Sequence, residues 1–157
     1  MRSSLVAAAA ISLVLAGTLH ACAQNVPVPA RCTPDVNAQL GQILATRSRA
    51  TVDNVMVCGT TISSSRHRRG GIHGDHQILP LRVVLPDRAV LVEVVTNDDL
   101  DERVTAPREA QVFAFGQLFV PAGGRFAAGV HDVHCSTHRG AANGWVVVNG
   151  TRYPRAC

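Results

Sequence analysis

Hydrophobic and polar residues alternate in short runs over most of the chain after residue 50. The runs are rich in Val, Ile and Leu and are bounded by Gly, Pro, Asn and Asp, which is typical of strands joined by turns. The pattern predicts strands at residues 51–63, 77–85, 89–96, 110–120, 125–134 and 145–148. Asn149-Gly150 then predicts a hairpin into residues 151–154, because both central positions of this turn need a positive φ.

A short helix is predicted before the strands. Thr33 is a suitable N-cap, Pro34 suits the first helical position, and Asp35 interacts favourably with the helix dipole. The apolar residues that follow recur at helical spacing and form one stripe, which consists of Val36, Leu40, Ile43 and Leu44. We expect the helix to end near Arg47.

These elements predict a mainly β fold, a small antiparallel β-barrel of five to six strands with one N-terminal helix. The strand at 110–120 is apolar on both faces. One face carries Val112, Ala114, Leu118 and Val120, and the other carries Phe113, Phe115 and Phe119. Either one face fills the barrel while the other packs under the helix, or the Phe face is a platform on which bases stack.

Composition limits the chain to one ordinary domain. It has 157 residues, of which 46% are hydrophobic and 17% charged. These values exclude a disordered chain, a collagen-like repeat and a coiled coil. The formal net charge of +4 is compatible with contact to a polyanion but does not require it.

The N-terminus has the features of an export signal. Arg2 precedes an apolar run over residues 5–19, and Ala21-Cys22-Ala23 is a small-x-small cleavage site. The run is shorter than the roughly 20 residues of a membrane-spanning helix, so we expect cleavage after Ala23 and no transmembrane segment in the mature chain. The predicted organisation is a signal peptide at 1–23, a linker at 24–34 and the barrel domain with its N-terminal helix at 35–157. The protein would then be periplasmic or secreted, with a lipoprotein acylated at Cys22 as the alternative.

Four cysteines remain after this cleavage, namely Cys32, Cys58, Cys135 and Cys157. An even number in an oxidising compartment predicts two disulfides, and four cysteines permit three pairings. Because chain termini often lie close together, we favour Cys32 with Cys157 and Cys58 with Cys135.

Histidines are concentrated at residues 131–138, which raises the possibility of a metal site. Neutral imidazole is a common ligand of zinc, and His76, His131 and His134 are the candidate ligands for such a divalent metal. On a regular strand His131 and His134 point to opposite faces, so they converge only through a bulge or a bend. The alternative is that these histidines form hydrogen bonds within a loop or face water.

Two charged segments lie between the predicted strands. Arg66, Arg68 and Arg69 belong to a flexible basic loop that either grips phosphates or is a solvated run of charge. The acidic cluster at residues 98–102 reads as a solvated turn, since it lacks the ligand pattern of a calcium loop. No catalytic motif is recognised anywhere in the chain.

Several separated motifs together resemble a known family. The motifs are His76-Gln77, Thr96-Asn97-Asp98-Asp99-Leu100 with Arg103-Val104, the cluster at 131–138 with Arg139-Gly140, Gly144-Trp145, and Asn149-Gly150 with Tyr153. In this order, over residues 55–154, they resemble a family of small exported bacterial proteins catalogued as a domain of unknown function, whose members look like oligonucleotide/oligosaccharide-binding (OB) barrels. The resemblance implies an OB-like barrel and an exported location. The residues that match the family's recurring positions are His76, Asn97, His131, His134, Arg139, Gly144 and Trp145.

The expected function is therefore an exported OB-like module that binds an anionic or sugar-like ligand, such as a nucleic acid, another polyanion or a glycan. The expected ligand-binding residues are His76, Asn97, His131, His134 and Arg139, with Arg66, Arg68 and Arg69 from the basic loop. Two alternatives stay open. One is a histidine-metal hydrolase such as a phosphodiesterase, in which the metal activates water. The other is a structural or inhibitory envelope protein.

Overall fold

Residues 25–46, 48–136 and 142–157 are described in a computed structural model of the chain. The predicted signal peptide and the alternative acylation site Cys22 lie outside these ranges, as does Arg139. None of the helices in the described ranges is long and apolar enough to cross a lipid bilayer.

The described part of the chain begins with helix and continues with strands. A 3-10 turn at Pro34–Asn37 leads into helix α1 at Ala38–Thr46. The strands are β1 (Val52–Thr61), β2 (Arg66–Arg68), β3 (His76–Val84), β4 (Ala89–Asn97), β5 (Gln111–Phe119), β6 (Ala128–His131), β7 (Trp145–Val148) and β8 (Thr151–Tyr153). A second 3-10 turn lies at Gly71–His73, between β2 and β3.

Five of the strands close into a barrel. The ring runs β1-β3-β4-β6-β5 and returns to β1, which pairs with β5. Neighbouring strands of the ring are antiparallel except β4 and β6, which are parallel. The strands β7 and β8 extend the sheet from β5, and β2 lies beside β3. This arrangement confirms the predicted small OB-like barrel with one short N-terminal helix.

Alternation along the strands separates the barrel interior from its outer face. Every second residue of β3 and β4 points inward, so that Leu79, Leu81, Val92 and Val94 are fully buried in the main core. Leu40 of α1 belongs to the same core. The sequence suggested that the apolar stripe of the helix covers the phenylalanine face of β5. Instead, α1 packs on the main core, and only Val36 of that stripe, in the 3-10 turn before α1, packs against the phenylalanine face.

A second apolar cluster covers that phenylalanine face. Phe113 and Phe115 pack with Trp145, and the cluster is covered by residues of the N-terminal segment, including Val26 and Val28. The indole N–H of Trp145 donates a hydrogen bond to the Val26 carbonyl at 3.1 Å. Phe113 and Phe115 are thus buried and unavailable for stacking on bases. The segment that the sequence suggested as a linker is packed against the barrel.

The disulfides join Cys32 to Cys58 and Cys135 to Cys157. Two disulfides were expected and are present, but the favoured pairing of the two chain ends with each other is wrong. Each terminal segment instead lies against a nearby part of the barrel, with Cα–Cα distances of 5.6 Å and 5.4 Å across the two bridges. Two disulfides fit an oxidising compartment.

Other boundaries differ from the predictions for local reasons. The Thr33 side chain makes no capping hydrogen bond. The basic segment forms the short strand β2, because its backbone pairs with the edge of β3 that β1 leaves open. The strand β6 ends at His131 and not at residue 134, because Asp132 has a φ of +52° and turns the chain.

The side chain of Asn37 completes the contact between β1 and β3. These strands pair at Thr60 with Arg82, and the same register would place Cys58 opposite Val84 two residues further along. At that position the Asn37 amide donates to the carbonyls of Cys58 and Val84, each at 3.0 Å, and accepts from the Cys58 N–H at 2.8 Å. Asn37 is fully buried. One side chain therefore supplies the bonds that the two strands do not make with each other.

Candidate binding groove

The outer face of β2, β3, β4, β6 and β5 presents its side chains in three rows set by strand register. The first row contains Pro80, Glu93, Gly129 and Phe119. The second contains Arg66, Ile78, Val95, His131 and Gln117. The third contains Arg68, His76 and Asn97. Basic groups therefore lie at the β2 edge, and the imidazole of His131 lies toward the middle of the sheet.

A cavity of about 360 Å³ lies over these rows, and we call it the groove. It is lined by Arg68, His76, Glu93, Val95, Asn97, Leu100, Asp101, Phe119, His131, Asp132 and His134. Five of the predicted ligand-binding residues thus line one cavity, namely Arg68, His76, Asn97, His131 and His134. Four of them lie on the strands β2, β3, β4 and β6, and His134 follows the bend at Asp132.

The remaining predicted residues have other positions. Arg66 stands in the second row, opposite Ile78. His67, between the two arginines, pairs with Asp75 at 2.9 Å, and this contact holds the pKa of the Asp75 carboxyl below its usual range. Arg69 is exposed in the loop after β2 and is not part of the groove lining.

Gly144 and Trp145 have structural roles. A Cβ atom on Gly144 would collide with the Asp132 carbonyl oxygen, so only glycine allows this close approach of the backbone. Trp145 is fully buried in the second apolar cluster.

A bend at Asp132 brings two histidines onto one carboxylate. His131 Nδ1 lies 3.1 Å from Asp132 Oδ1, and His134 Nε2 lies 3.7 Å from the same oxygen. His134 Nδ1 lies 2.9 Å from the Cys135 carbonyl, so this nitrogen carries a proton and Nε2 is the atom that faces Asp132. The sequence predicted that the two histidines converge only through a bend, and the positive φ of Asp132 supplies it.

Asp101 is a buried carboxyl at the end of the groove. It is 1% exposed, so the prediction of a solvated acidic turn at residues 98–102 is wrong for this residue. One oxygen accepts a hydrogen bond from the Asn97 N–H, and Oδ1 has no hydrogen-bond partner in the described part of the chain. Burial raises the pKa of Asp101 to about 6, a shift that the Asn97 N–H and His134 oppose and that the negative charges of Asp132 and Asp98 reinforce.

Glu93 was not among the predicted site residues. It is the only charged side chain in the strand Ala89–Asn97, and this feature of the sequence could have identified it as a site residue. In the structure it is half-buried on the outer face and lines the groove. Burial raises the pKa of Glu93, and the positive charges of Arg68 and Arg66 oppose that rise. The two arginines therefore lie close enough to act on its charge.

Phe119 fits over Gly129 on the first row. A Cβ atom on Gly129 would overlap the Phe119 ring, and the ring lies 5.3 Å from that of His131 at an interplanar angle of 70°. Because Phe119 is only partly buried, it is the one aromatic residue of β5 that reaches the groove.

We expect Gly129→Ala to displace the Phe119 ring and to lower the free energy of unfolding by about 1–3 kcal/mol. Urea denaturation measures the change. Gly41→Ala is the matched control, since nothing lies within 4 Å of the added methyl group. In the interior of α1 it should stabilise by roughly 0.5–1 kcal/mol. Equal stability of the Gly129→Ala variant and the unsubstituted protein would contradict the packing described for Phe119.

The described residues do not assemble the predicted metal ligands. In the ranges 25–46, 48–136 and 142–157, no group of three or more His, Cys, Asp or Glu side chains is placed to hold a metal ion. His76, His131 and His134 share the groove, but His131 and His134 are directed at Asp132. Cys135 is bonded to Cys157 and is not a thiolate ligand.

A larger cavity adjoins the groove. Its volume is about 740 Å³, and it shares Leu100, Asp132 and His134 with the groove as a common wall. Asp53 and Gln117, which are hydrogen-bonded to each other, line its other side.

Comparisons of the chain with protein-family models, with curated proteins and with solved structures find no match.

Proposed function

We propose that the protein is an exported OB-like binding module whose groove takes an anionic ligand that also carries sugar hydroxyl groups. One observation carries the proposal: the guanidinium of Arg68, the imidazole of His76 and the amide of Asn97 line one cavity on the outer face of the barrel. The outer face of the corresponding strands is where OB barrels bind oligonucleotides and oligosaccharides.

The charge distribution in the groove favours one orientation of the ligand. Arg66 and Arg68 lie at the β2 edge, where a phosphate or carboxylate accepts charge-assisted hydrogen bonds. Asp101 and Asp132 lie at the opposite end and repel a second anionic group there. Hydroxyl groups donate to carboxylates and accept from amides, so we place the sugar near Asn97 and Asp132.

The size of the groove supports a small recognition unit. A volume of about 360 Å³ is at the lower end of the range of roughly 300–1,000 Å³ that ligand sites occupy. One sugar ring with one charged substituent fits this space, and a longer chain would continue into the adjoining cavity past Leu100.

Export is supported by two independent features. The first is the signal sequence at residues 1–23, and the second is the pair of disulfides. Membership of the exported family that the motifs resemble stays a prediction.

We expect Arg68→Ala to weaken binding about tenfold or more, because a charge-assisted hydrogen bond contributes roughly 1.5–3 kcal/mol. Fluorescence anisotropy with a labelled oligodeoxythymidylate and a labelled oligogalacturonate measures both anion types. Binding should weaken as salt is raised, more steeply for the nucleotide probe. Arg108→Ala, an exposed residue outside the groove, is the control.

Two results would remove the proposed function. The first is no binding of either probe at low salt. The second is equal affinity of the Arg68→Ala and Arg108→Ala variants for the probe that binds.

A further inference from the structure

A carboxylate and an imidazole stand diagonally across two strands of the groove. Glu93 of β4 is in register with Gly129 of β6, and His131 follows two residues later on the same face. Because neighbouring strands lie about 4.8 Å apart and rise about 3.3 Å per residue, the two Cα atoms are about 8 Å apart, and both side chains line the groove. A group bound between them is therefore within reach of both.

The environment of each group suits proton transfer. Asp132 Oδ1, 3.1 Å from His131 Nδ1, holds the proton on that nitrogen, so Nε2 is the atom that exchanges a proton with a bound molecule. Glu93 is half-buried, and the charges of Arg66 and Arg68 act on it from the β2 edge. A negatively charged reaction centre placed between Glu93 and His131 would be stabilised by these two guanidinium groups.

We propose that the groove is a catalytic site that cleaves single-stranded RNA by transesterification, with Glu93 as general base and His131 as general acid. The inference rests on the proposed function of the groove. The Glu93 carboxylate takes the proton of a ribose 2′-hydroxyl, whose oxygen attacks the neighbouring phosphorus. The bond from phosphorus to the 5′-oxygen breaks, and that oxygen takes a proton from His131 Nε2. The products are a 2′,3′-cyclic phosphate and a 5′-hydroxyl end.

The reaction needs no co-reactant, because the nucleophile belongs to the substrate. Besides the general base and the general acid, the site needs a group that stabilises the charge developing on the phosphoryl oxygens, and Arg66 and Arg68 do this. After the reaction Glu93 loses its extra proton to water and His131 regains a proton from water, so the site returns to its starting state.

The positions of the other carboxyls disfavour glycoside hydrolysis in the same groove. That reaction uses two carboxyls about 5–9.5 Å apart on either side of the bond that breaks. Asp101 is held at Asn97, four residues along β4 from Glu93, which corresponds to a backbone separation of about 13 Å. The remaining carboxyl, Asp132, is engaged by the two histidines. Glu93 therefore faces two guanidinium groups and an imidazole, while Asp101 is held far along the strand and Asp132 is taken up by the histidines.

The test uses the mature protein and two fluorescent oligonucleotides of the same sequence, one all-ribose and one all-deoxy. We expect cleavage of the ribose strand in the presence of EDTA, with a 2′,3′-cyclic phosphate end detected by mass spectrometry. The deoxy strand should bind without being cut, because it lacks the 2′-hydroxyl.

Variants assign the activity to this chain. We expect Glu93→Gln and His131→Asn each to lower the cleavage rate about 100-fold or more while the deoxy strand still binds. The control is Glu109→Gln, an exposed carboxyl outside the groove, which should cut at the unsubstituted rate. Arg68→Ala changes only an exposed side chain of β2 and provides a further loss-of-rate variant if either of the first two fails to fold.

The outcomes separate the two proposals. Binding of the deoxy strand without cleavage of the ribose strand would overturn the catalytic inference and leave the proposed function standing. So would binding of oligogalacturonate alone. Equal cleavage by the Glu93→Gln, His131→Asn and unsubstituted proteins would also overturn the inference. Failure to bind either kind of probe would overturn both proposals.

Discussion

Replacement of Asn37 by Ala is expected to lower the free energy of unfolding by about 3–5 kcal/mol. The substitution removes the three hydrogen bonds that Asn37 makes to backbone groups and leaves the Cys58 N–H and the carbonyls of Cys58 and Val84 without these partners. All three groups lie where β1 and β3 diverge and are no longer hydrogen-bonded to each other. Buried backbone groups that lose their partners cost about 1–3 kcal/mol each, partly offset when the strands or water move in.

Urea denaturation of the oxidised protein measures this change. Gln39→Ala is the control, because Gln39 is exposed two residues further along the same segment and should change stability by less than about 0.5 kcal/mol. A loss below about 1 kcal/mol in the Asn37→Ala variant would show that β1 and β3 pair directly once the amide is gone.

The second large effect concerns the pH dependence of stability and Asp101. A carboxyl whose pKa is higher in the folded chain than in the unfolded chain destabilises the fold once it ionises. The pKa of about 6 means that this loss develops as pH rises from the carboxyl's ordinary value toward about 6 and is complete above it. Two units of pKa correspond to about 3 kcal/mol.

We expect Asp101→Asn to be more stable than the unsubstituted protein by up to about 3 kcal/mol at pH 8 and equally stable near pH 4. The amide oxygen of Asn still accepts the hydrogen bond from the Asn97 N–H, and no charge is buried beside Asp98 and Asp132. Urea midpoints across this pH range measure the difference. Asp87→Asn is the control, since Asp87 is exposed and pairs only with exposed Arg88 in a surface ion pair. A difference that does not change with pH would contradict the assigned burial of the Asp101 charge.

The regular elements were predictable because their signals are local. Alternation set the β-strands to within a few residues, and the positive φ of Asn149 and Gly150 confirmed the hairpin. The sequence also predicted that His131 and His134 come together only if the chain bends between them, because successive residues of a strand point to opposite faces. Strands and tight turns are determined largely by residues close together in the chain, and the sequence shows these directly.

The errors arose where the structure depends on packing and strand pairing that local sequence patterns do not show. The pairing of the cysteines depends on where the terminal segments lie against the barrel, and no pattern in the sequence records that. The burial of Asp101 depends on a hydrogen bond to the Asn97 backbone within an otherwise polar turn. The strand β2 forms because β3 has an unpaired edge, and the basic composition of Arg66–Arg68 gave no sign of it.

Only some of the residues that line the groove could be predicted from the sequence. His76, Asn97 and His131 stood out as polar residues at the ends of strands. Glu93 and Phe119 did not, because each looks like an ordinary strand residue until the fold brings Glu93 near two arginines and Phe119 against His131.

The division between inward and outward strand positions has a consequence for how such a protein evolves. In β4, Val92 and Val94 maintain the barrel, while Glu93 and Val95, which alternate with them, face the groove. Substitutions at the outward positions alter what is recognised and leave the buried neighbours untouched. Exchanges at the outward positions can therefore change which ligand is recognised while the same barrel is kept.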